Sequence, residues 1–130
     1  MDKILAEISA GELVDKITIL EIKKDKISNK DNLKEIDKEL NSLKETFDKF
    51  ILDKSVIKKY FDKLKDINLK LWNIEDGKRE CEKKQDFGDN FIQLSRNVYK
   101  LNDLRAKIKL EINQNLGSNI KEIKSYKSKD

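Results

Sequence analysis

The fold is decided by the first long apolar stretch of the chain. Residues 9–24 read SAGELVDKITILEIKK. Ser9 and Glu12 have the spacing of a capping box, in which the hydroxyl accepts from an amide three residues on and the carboxylate reaches back. Apolar residues then occupy most of the helix circumference, so we expect this helix at the centre of the fold. The β-branched run at residues 17–19 would also suit a strand, but the cap and the apolar spacing favour a helix over residues 10–27.

Three more amphipathic helices follow, because apolar residues recur every three or four positions between polar breaks. The chain has no proline and four glycines, so little interrupts a helix. The predicted helices cover residues 32–52, 56–84 and 90–116, and Gly117 has the position of a C-terminal cap. Gly77 lies within the third helix and indicates a bend or a close approach to another helix. The sequence therefore predicts an all-α fold, a compact antiparallel bundle of about four helices, two of them long.

The length of 130 residues fits a single domain. We expect the helical domain over residues 1–117 and a loose C-terminal tail over residues 118–130, where apolar residues are few. The sequence also allows a short strand pair between residues 4–8 and 120–124.

Composition excludes several classes of site. The chain has no histidine and one cysteine, so it cannot build a structural zinc site, a Cys–His catalytic pair or an internal disulfide. We predict no metal, no cofactor and no catalytic residue. No apolar run is long enough to span a membrane, and the N-terminal residues lack the apolar core of a secretory signal. The lone cysteine and the missing signal favour a cytoplasmic protein.

Charge distribution argues against nucleic-acid binding. Lys and Arg total 29 against 25 Asp and Glu, which gives a net charge of +4. Both signs alternate along every segment, as on solvated helix faces, whereas a nucleic-acid footprint concentrates positive charge on one face.

Polar residues interrupt the apolar stripe of the last helix. Arg105 lies on that stripe, so it must leave the edge of the core or find an acidic or carbonyl partner. If the third and fourth helices form an antiparallel hairpin, Arg105 faces Asn68, and Arg96 faces Asp76 and Gly77. Each of these two helices also has a polar edge, and we expect the two edges to meet. The edge of the third helix consists of Trp72, Glu75, Arg79 and Glu82, and that of the fourth of Arg96, Tyr99 and Asp103.

Two interpretations of these edges remain open. One is a ladder of salt bridges that sets helix register. The other is a pocket for a small anionic ligand, with arginines as anion partners and an aromatic wall. The candidate ligand-binding residues are Lys16, Trp72, Glu75, Arg79, Arg96, Tyr99, Asp103 and Arg105.

Three blocks of sequence carry a family resemblance. They are GELVDKITILEIK at residues 11–23, LWNIED at 71–76, and the stretch from DFG to NDLRA at 86–106. In these blocks the chain resembles a small bacterial and phage family of unknown function. The resemblance implies an all-helical protein of about this length, whose pattern retains the polar positions of both edges, and it supplies no activity, cofactor or site.

The function expected from the sequence is that of a non-enzymatic cytoplasmic interaction module, which self-associates or binds a protein partner. The alternative is a small helical enzyme, or a domain that binds an anionic metabolite through Arg, Lys and Glu side chains. Such a domain would resemble the helical chorismate mutases in principle, since they stabilise a charged transition state with these residue types alone.

Overall fold

A computed structural model describes residues 1–125 and contains four helices. They are α1 (Ala10–Lys26), α2 (Lys30–Phe50), α3 (Lys54–Lys83) and α4 (Asp89–Leu116). The predicted all-α fold is confirmed, and every predicted helix end lies within two residues of the observed one.

Capping interactions close both ends of the helical bundle's chain path, at Ser9 before α1 and at Gly117 after α4. The Ser9 hydroxyl accepts from the backbone N–H of Glu12 at 3.0 Å, as predicted. The Glu12 carboxylate does not complete the capping box but accepts from Lys109 of α4 at 2.6 Å. Gly117 ends α4 with a φ of 63°, a left-handed conformation that glycine adopts without steric cost. The Ser118 N–H then bonds back to the carbonyl of Asn113 at 2.8 Å, which satisfies the end of the helix.

Helix α1 is central, as its apolar surface predicts. It packs against all three other helices, and α3 and α4 pack against each other. Within residues 1–125, the backbone of α2 approaches closely only that of α1. Side chains also join α2 to the start of α3, where Lys54 pairs with Asp48. The core consists mainly of buried aliphatic side chains, which include Leu13, Val14, Ile17, Leu20, Leu64, Ile67, Ile108 and Ile112. Burial on nearly all sides of α1 is the main apolar contribution to stability in this fold.

The start of α1 lies against the end of α4. A Cβ added at Gly11 would stand 2.5 Å from the backbone oxygen of Lys109, so only glycine fits here without displacing a helix. The Gly11 N–H donates to Asn113 Oδ1 at 2.6 Å, and the Ala10 N–H donates to Ser118 Oγ at 3.0 Å. Two amides of the first helical turn, which have no partner within α1, are thus satisfied from α4 and from the residue that follows its cap.

The segments before α1 and after α4 contact each other without forming the strand pair that the sequence allows. No strand occurs within residues 1–125. Instead the Asn119 side chain donates to the Glu7 carboxylate at 2.8 Å, and Lys124 pairs with Asp103 at 2.9 Å. The last five residues of the predicted tail, 126–130, lie outside the described residues. None of the helices within residues 1–125 has the length and apolar character that crossing a membrane requires.

Candidate functional site

A buried carboxylate joins three helices at the centre of the molecule. Asp15 of α1 is fully buried. Its Oδ1 accepts from Arg105 Nε at 3.0 Å and from Asn68 Nδ2 at 2.9 Å, and its Oδ2 accepts from Arg105 Nη2 at 2.6 Å. The same Asn68 amide donates to Thr18 Oγ1 at 2.9 Å. We call Asp15, Thr18, Asn68 and Arg105 the Asp15 cluster, in which both carboxylate oxygens are satisfied.

Both partners of the central ion pair are charged at neutral pH. Burial by itself would raise the pKa of the Asp15 carboxyl. Hydrogen bonds from Arg105 and Asn68, together with the charges of Arg105 and Lys109, outweigh burial and hold that pKa below its ordinary value. The hydrogen bonds to Asp15 raise the pKa of Arg105 in turn. The two-point contact is the geometry in which a guanidinium binds a carboxylate most strongly.

The prediction that Arg105 faces Asn68 is confirmed, since both side chains bind Asp15. Sequence reasoning missed that the acid comes from α1 and not from α3. A signal was present, because Asp15 interrupts the most apolar helix of the chain, where a charge needs a partner.

A cleft of about 340 Å³ lies beside the Asp15 cluster, between α1 and α3. We call it the Trp72 cleft. Its lining residues are Ile19, Ile22, Lys23, Asn68, Leu71, Trp72, Glu75, Asp76, Arg79 and Arg105. Trp72, Glu75 and Arg79 share a face because they are spaced by three and four positions on α3. Arg105 reaches the same cleft from α4, so the cleft brings together four of the predicted site residues.

Four charged side chains of the Trp72 cleft have no partner in the part of the chain that the structure describes. We call them the four rim charges: Lys23, Glu75, Asp76 and Arg79. They form no side-chain hydrogen bond or ion pair with any residue from 1 to 125. Glu75 and Arg79 are one helical turn apart, a spacing at which other acidic and basic residues of α3 do pair. These charged groups therefore face solvent and are available to a ligand.

The other predicted site residues lie away from the cleft. Arg96 precedes Arg105 by nine residues, about two and a half helical turns, so the two arginines project from opposite faces of α4. Arg96 and Tyr99 are exposed. Asp103 pairs with Lys124, and Lys16 lies near Glu12 at 3.9 Å.

The two polar edges of α3 and α4 do not meet, so the predicted ladder of salt bridges is wrong for residues 1–125. Gly77 lies against Leu94, and a Cβ added at Gly77 would stand 3.1 Å from Leu94 Cδ1. The contact between the helices at this level is therefore apolar. Of the two alternatives expected at Gly77, a bend or a close approach, the close approach is confirmed. The predicted pocket for an anionic ligand does not gather all of its basic candidates, because Arg79 and Arg105 line the Trp72 cleft whereas Lys16 and Arg96 lie outside it.

Comparison with known protein families shows which family the chain belongs to. The family model DUF6165, described as a family of unknown function, matches residues 4–129. The chain belongs to this family. The resemblance drawn from the sequence is thereby confirmed as far as membership in a family of unknown function, and DUF6165 assigns no activity. No curated protein and no solved structure matches the chain. Within residues 1–125 no cluster of Cys, Asp or Glu is arranged to hold a metal ion.

Proposed function

We propose that this DUF6165 protein is a non-enzymatic binding domain that holds a small organic molecule in the Trp72 cleft. The observation that carries the proposal is the convergence of Trp72, Arg79 and Arg105 on one cleft whose rim charges have no partner among residues 1–125. The volume of the Trp72 cleft, about 340 Å³, lies at the lower end of the range for ligand pockets, about 300–1,000 Å³. A molecule the size of an amino acid fits this space.

The lining supplies both shape and polarity. Ile19, Ile22, Leu71 and Trp72 form an apolar wall for the body of the ligand. Arg105 is held in place by Asp15 and by Asn102, whose Oδ1 accepts from Arg105 Nη1 at 3.3 Å. A guanidinium has five N–H donors, so some remain for a ligand oxygen. Because Arg105 is already fixed, little side-chain entropy is lost when a ligand binds.

A thermal-shift screen tests this function. The panel contains amino acids, mono- and dicarboxylates and inorganic phosphate, and the control is Trp72→Leu, which reduces the apolar wall. A ligand at 100 times its dissociation constant adds about 2.7 kcal/mol to the free energy of unfolding. We expect at least one compound to raise the Tm of the wild type and to lose most of that effect in Trp72→Leu. An equal shift in both proteins, or no shift with any compound, would contradict binding in the Trp72 cleft.

A second function, self-association, is favoured by an apolar groove formed by the segment before α1, the α2–α3 connection and the end of α4. The groove has a volume of about 710 Å³, and Ala6, Ile8 and Leu13 contribute to its lining. At its edge Phe50 and Leu52 are 69% and 89% exposed. The patch thus combines projecting apolar side chains with an apolar groove, as an interface between two copies of one chain requires.

Charge on the same patch also suits a second copy of the chain. Glu7 and Asp53 line the groove, and Lys49 lies over the Phe50 ring at 5.3 Å. Light scattering during size-exclusion chromatography measures the mass in solution. We expect a dimer that Leu52→Ser converts to a monomer, and a wild-type monomer at all concentrations would rule out this second function.

We infer a cytoplasmic setting from the single thiol. Cys81 is buried, its Sγ accepts from Asn90 Nδ2 at 3.6 Å, and the chain has no second cysteine with which to form a disulfide. Free buried thiols suit a reducing compartment. Fractionation of cells that express the protein tests this inference, and recovery outside the cytoplasm would contradict it.

A further inference from the structure

Asp15 neutralises the positive charge of Arg105, so Arg105 can offer a ligand N–H donors but no net charge. Its guanidinium binds both oxygens of Asp15, which is fully buried behind it, so the two charges cancel locally. The remaining charges of the Trp72 cleft are the cations Lys23 and Arg79 and the anions Glu75 and Asp76. The cleft is therefore electrically balanced, although a count of arginines alone suggests a site for anions.

A balanced cleft disfavours a ligand that carries only negative charge. A dianion placed there would meet two carboxylates as well as two cations, and like charges at close range oppose binding. A ligand that carries only an ammonium group would likewise be repelled by Arg79 and Lys23. The ligand that satisfies both signs at once carries one charge of each.

The spacing of the rim charges further restricts the class of ligand that fits the cleft. Glu75 and Arg79 lie four residues apart on one face of α3, which places their Cβ atoms about 5–6 Å apart. Each side chain lacks a partner within the described residues. The carboxylate and ammonium of an α-amino acid are neighbouring groups that can contact such a pair together. Trp72 lies one turn before on the same face and can pack against an apolar side chain.

We propose, on the basis of the binding function above, that the ligand of the Trp72 cleft is a small zwitterion with an apolar body, of the α-amino acid type. Its carboxylate binds Arg79, its ammonium binds Glu75, and its side chain packs on Trp72 and Leu71. The Arg79 fork can bind the carboxylate at two points, as Arg105 binds Asp15.

Calorimetric titration with three related probes tests the charge requirement. L-phenylalanine carries both charges, hydrocinnamate lacks the ammonium, and phenethylamine lacks the carboxylate, while all three share the phenyl group. We expect L-phenylalanine to bind at least about tenfold more tightly than either analogue, because each analogue leaves one charged side chain of the cleft unpaired.

Matched variants assign the two contacts. Arg79→Gln should lower the affinity for L-phenylalanine to that for phenethylamine, and Glu75→Gln should lower it to that for hydrocinnamate. Arg96→Gln is the control, since Arg96 is an exposed arginine outside the cleft, and it should bind as the wild type does. Circular dichroism verifies that each variant is folded.

The outcomes separate the two levels of the proposal. If hydrocinnamate or phenethylamine binds as tightly as L-phenylalanine, the proposal that the ligand is a zwitterion is wrong, while the Trp72 cleft remains a binding site. If Arg79→Gln and Arg96→Gln weaken binding equally, the assigned contact is wrong. If none of the three probes binds, the zwitterion proposal is overturned, and the thermal-shift panel then decides on its own whether the cleft binds any small molecule.

Discussion

The Asp15 cluster and the Trp72 cleft are adjacent polar regions with opposite properties. In the cluster, a fully buried carboxylate has its oxygens bound by side chains from two other helices. In the cleft, the four rim charges face solvent without partners among residues 1–125. Arg105 belongs to both regions, since it binds Asp15 and lines the cleft. The same residue types thus serve structure where they are paired and remain available for binding where they are not.

Whether a charged residue has a partner separates a structural role from a binding role on this helical fold. A buried charge without a partner costs several kcal/mol, so a satisfied buried pair indicates a structural role. An exposed charge costs little when unpaired, so nothing in the fold requires Glu75 or Arg79 to be where they are. Substitutions in the two regions should therefore have separable effects on stability and on binding.

Asp15→Asn should have the largest effect on stability. The substitution leaves the Arg105 cation half-buried without its counter-ion, and breaking a buried pair in this way costs about 3–5 kcal/mol. We expect about 3 kcal/mol, because Arg105 retains some access to water, with a side-chain exposure of 29%. Urea denaturation measures the change. The control Glu75→Gln should stay within about 0.5 kcal/mol of the wild type.

Gly11→Ala tests whether the start of α1 is fixed as tightly as the Asp15 cluster. Its Cβ would meet the Lys109 backbone oxygen at 2.5 Å, and backbone cannot rotate away. We expect a loss of about 2 kcal/mol in the free energy of unfolding, typical of overpacking. The matched control is Gly77→Ala, where the neighbour is a flexible Leu94 methyl at 3.1 Å. There the gain of up to about 1 kcal/mol in helix propensity should offset the contact. Equal losses in both variants would contradict the close approach at Gly11.

Acid should weaken the fold through Asp15. Because the pKa of its carboxyl is lowered in the folded state, its contribution is fully present above the unfolded pKa, about 3.9, and is lost as the pH falls through the folded value. We expect urea midpoints to decline below about pH 4 in the wild type. The decline should be shallower in Asp15→Asn, which has no carboxyl to protonate at this position. Parallel declines would mean that other carboxylates account for the acid sensitivity.

Arg79→Gln should have the smallest effect on stability. The guanidinium has no partner among residues 1–125, so its removal should change the free energy of unfolding by less than about 0.5 kcal/mol. Binding in the Trp72 cleft should nevertheless weaken at least about tenfold, since a ligand carboxylate loses its charged partner. A clear loss of stability in a urea titration would show that Arg79 is structural after all.

The sequence predicted the helices well because capping and periodicity are local. The Ser9 cap, the Gly117 cap and the apolar spacing each act over a few neighbouring positions of the chain. Every predicted helix end therefore lies within two residues of the observed one. The facing of Arg105 and Asn68 also followed, because a short connection restricts how α3 and α4 pair.

The partner of Arg105 could not be predicted in the same way. Asp15 is 90 residues away in the chain, and its approach depends on how α1 lies across the hairpin of α3 and α4. Helical phase is local, by contrast, and it places Arg96 and Arg105 on opposite faces of α4, because nine residues span about two and a half turns. The groups that define the Trp72 cleft come from three helices, so only the tertiary packing of α1 brings them together.

Double-mutant cycles on two pairs of residues most directly test the difference between the two regions. One cycle combines Asp15→Asn with Arg105→Gln, and the other combines Glu75→Gln with Arg79→Gln, with the free energy of unfolding measured in urea for all variants. We expect a coupling free energy of about 2 kcal/mol or more for Asp15 and Arg105, and about zero for Glu75 and Arg79. Similar coupling energies in the two cycles would contradict the separation of a structural ion pair from charges left free for a ligand.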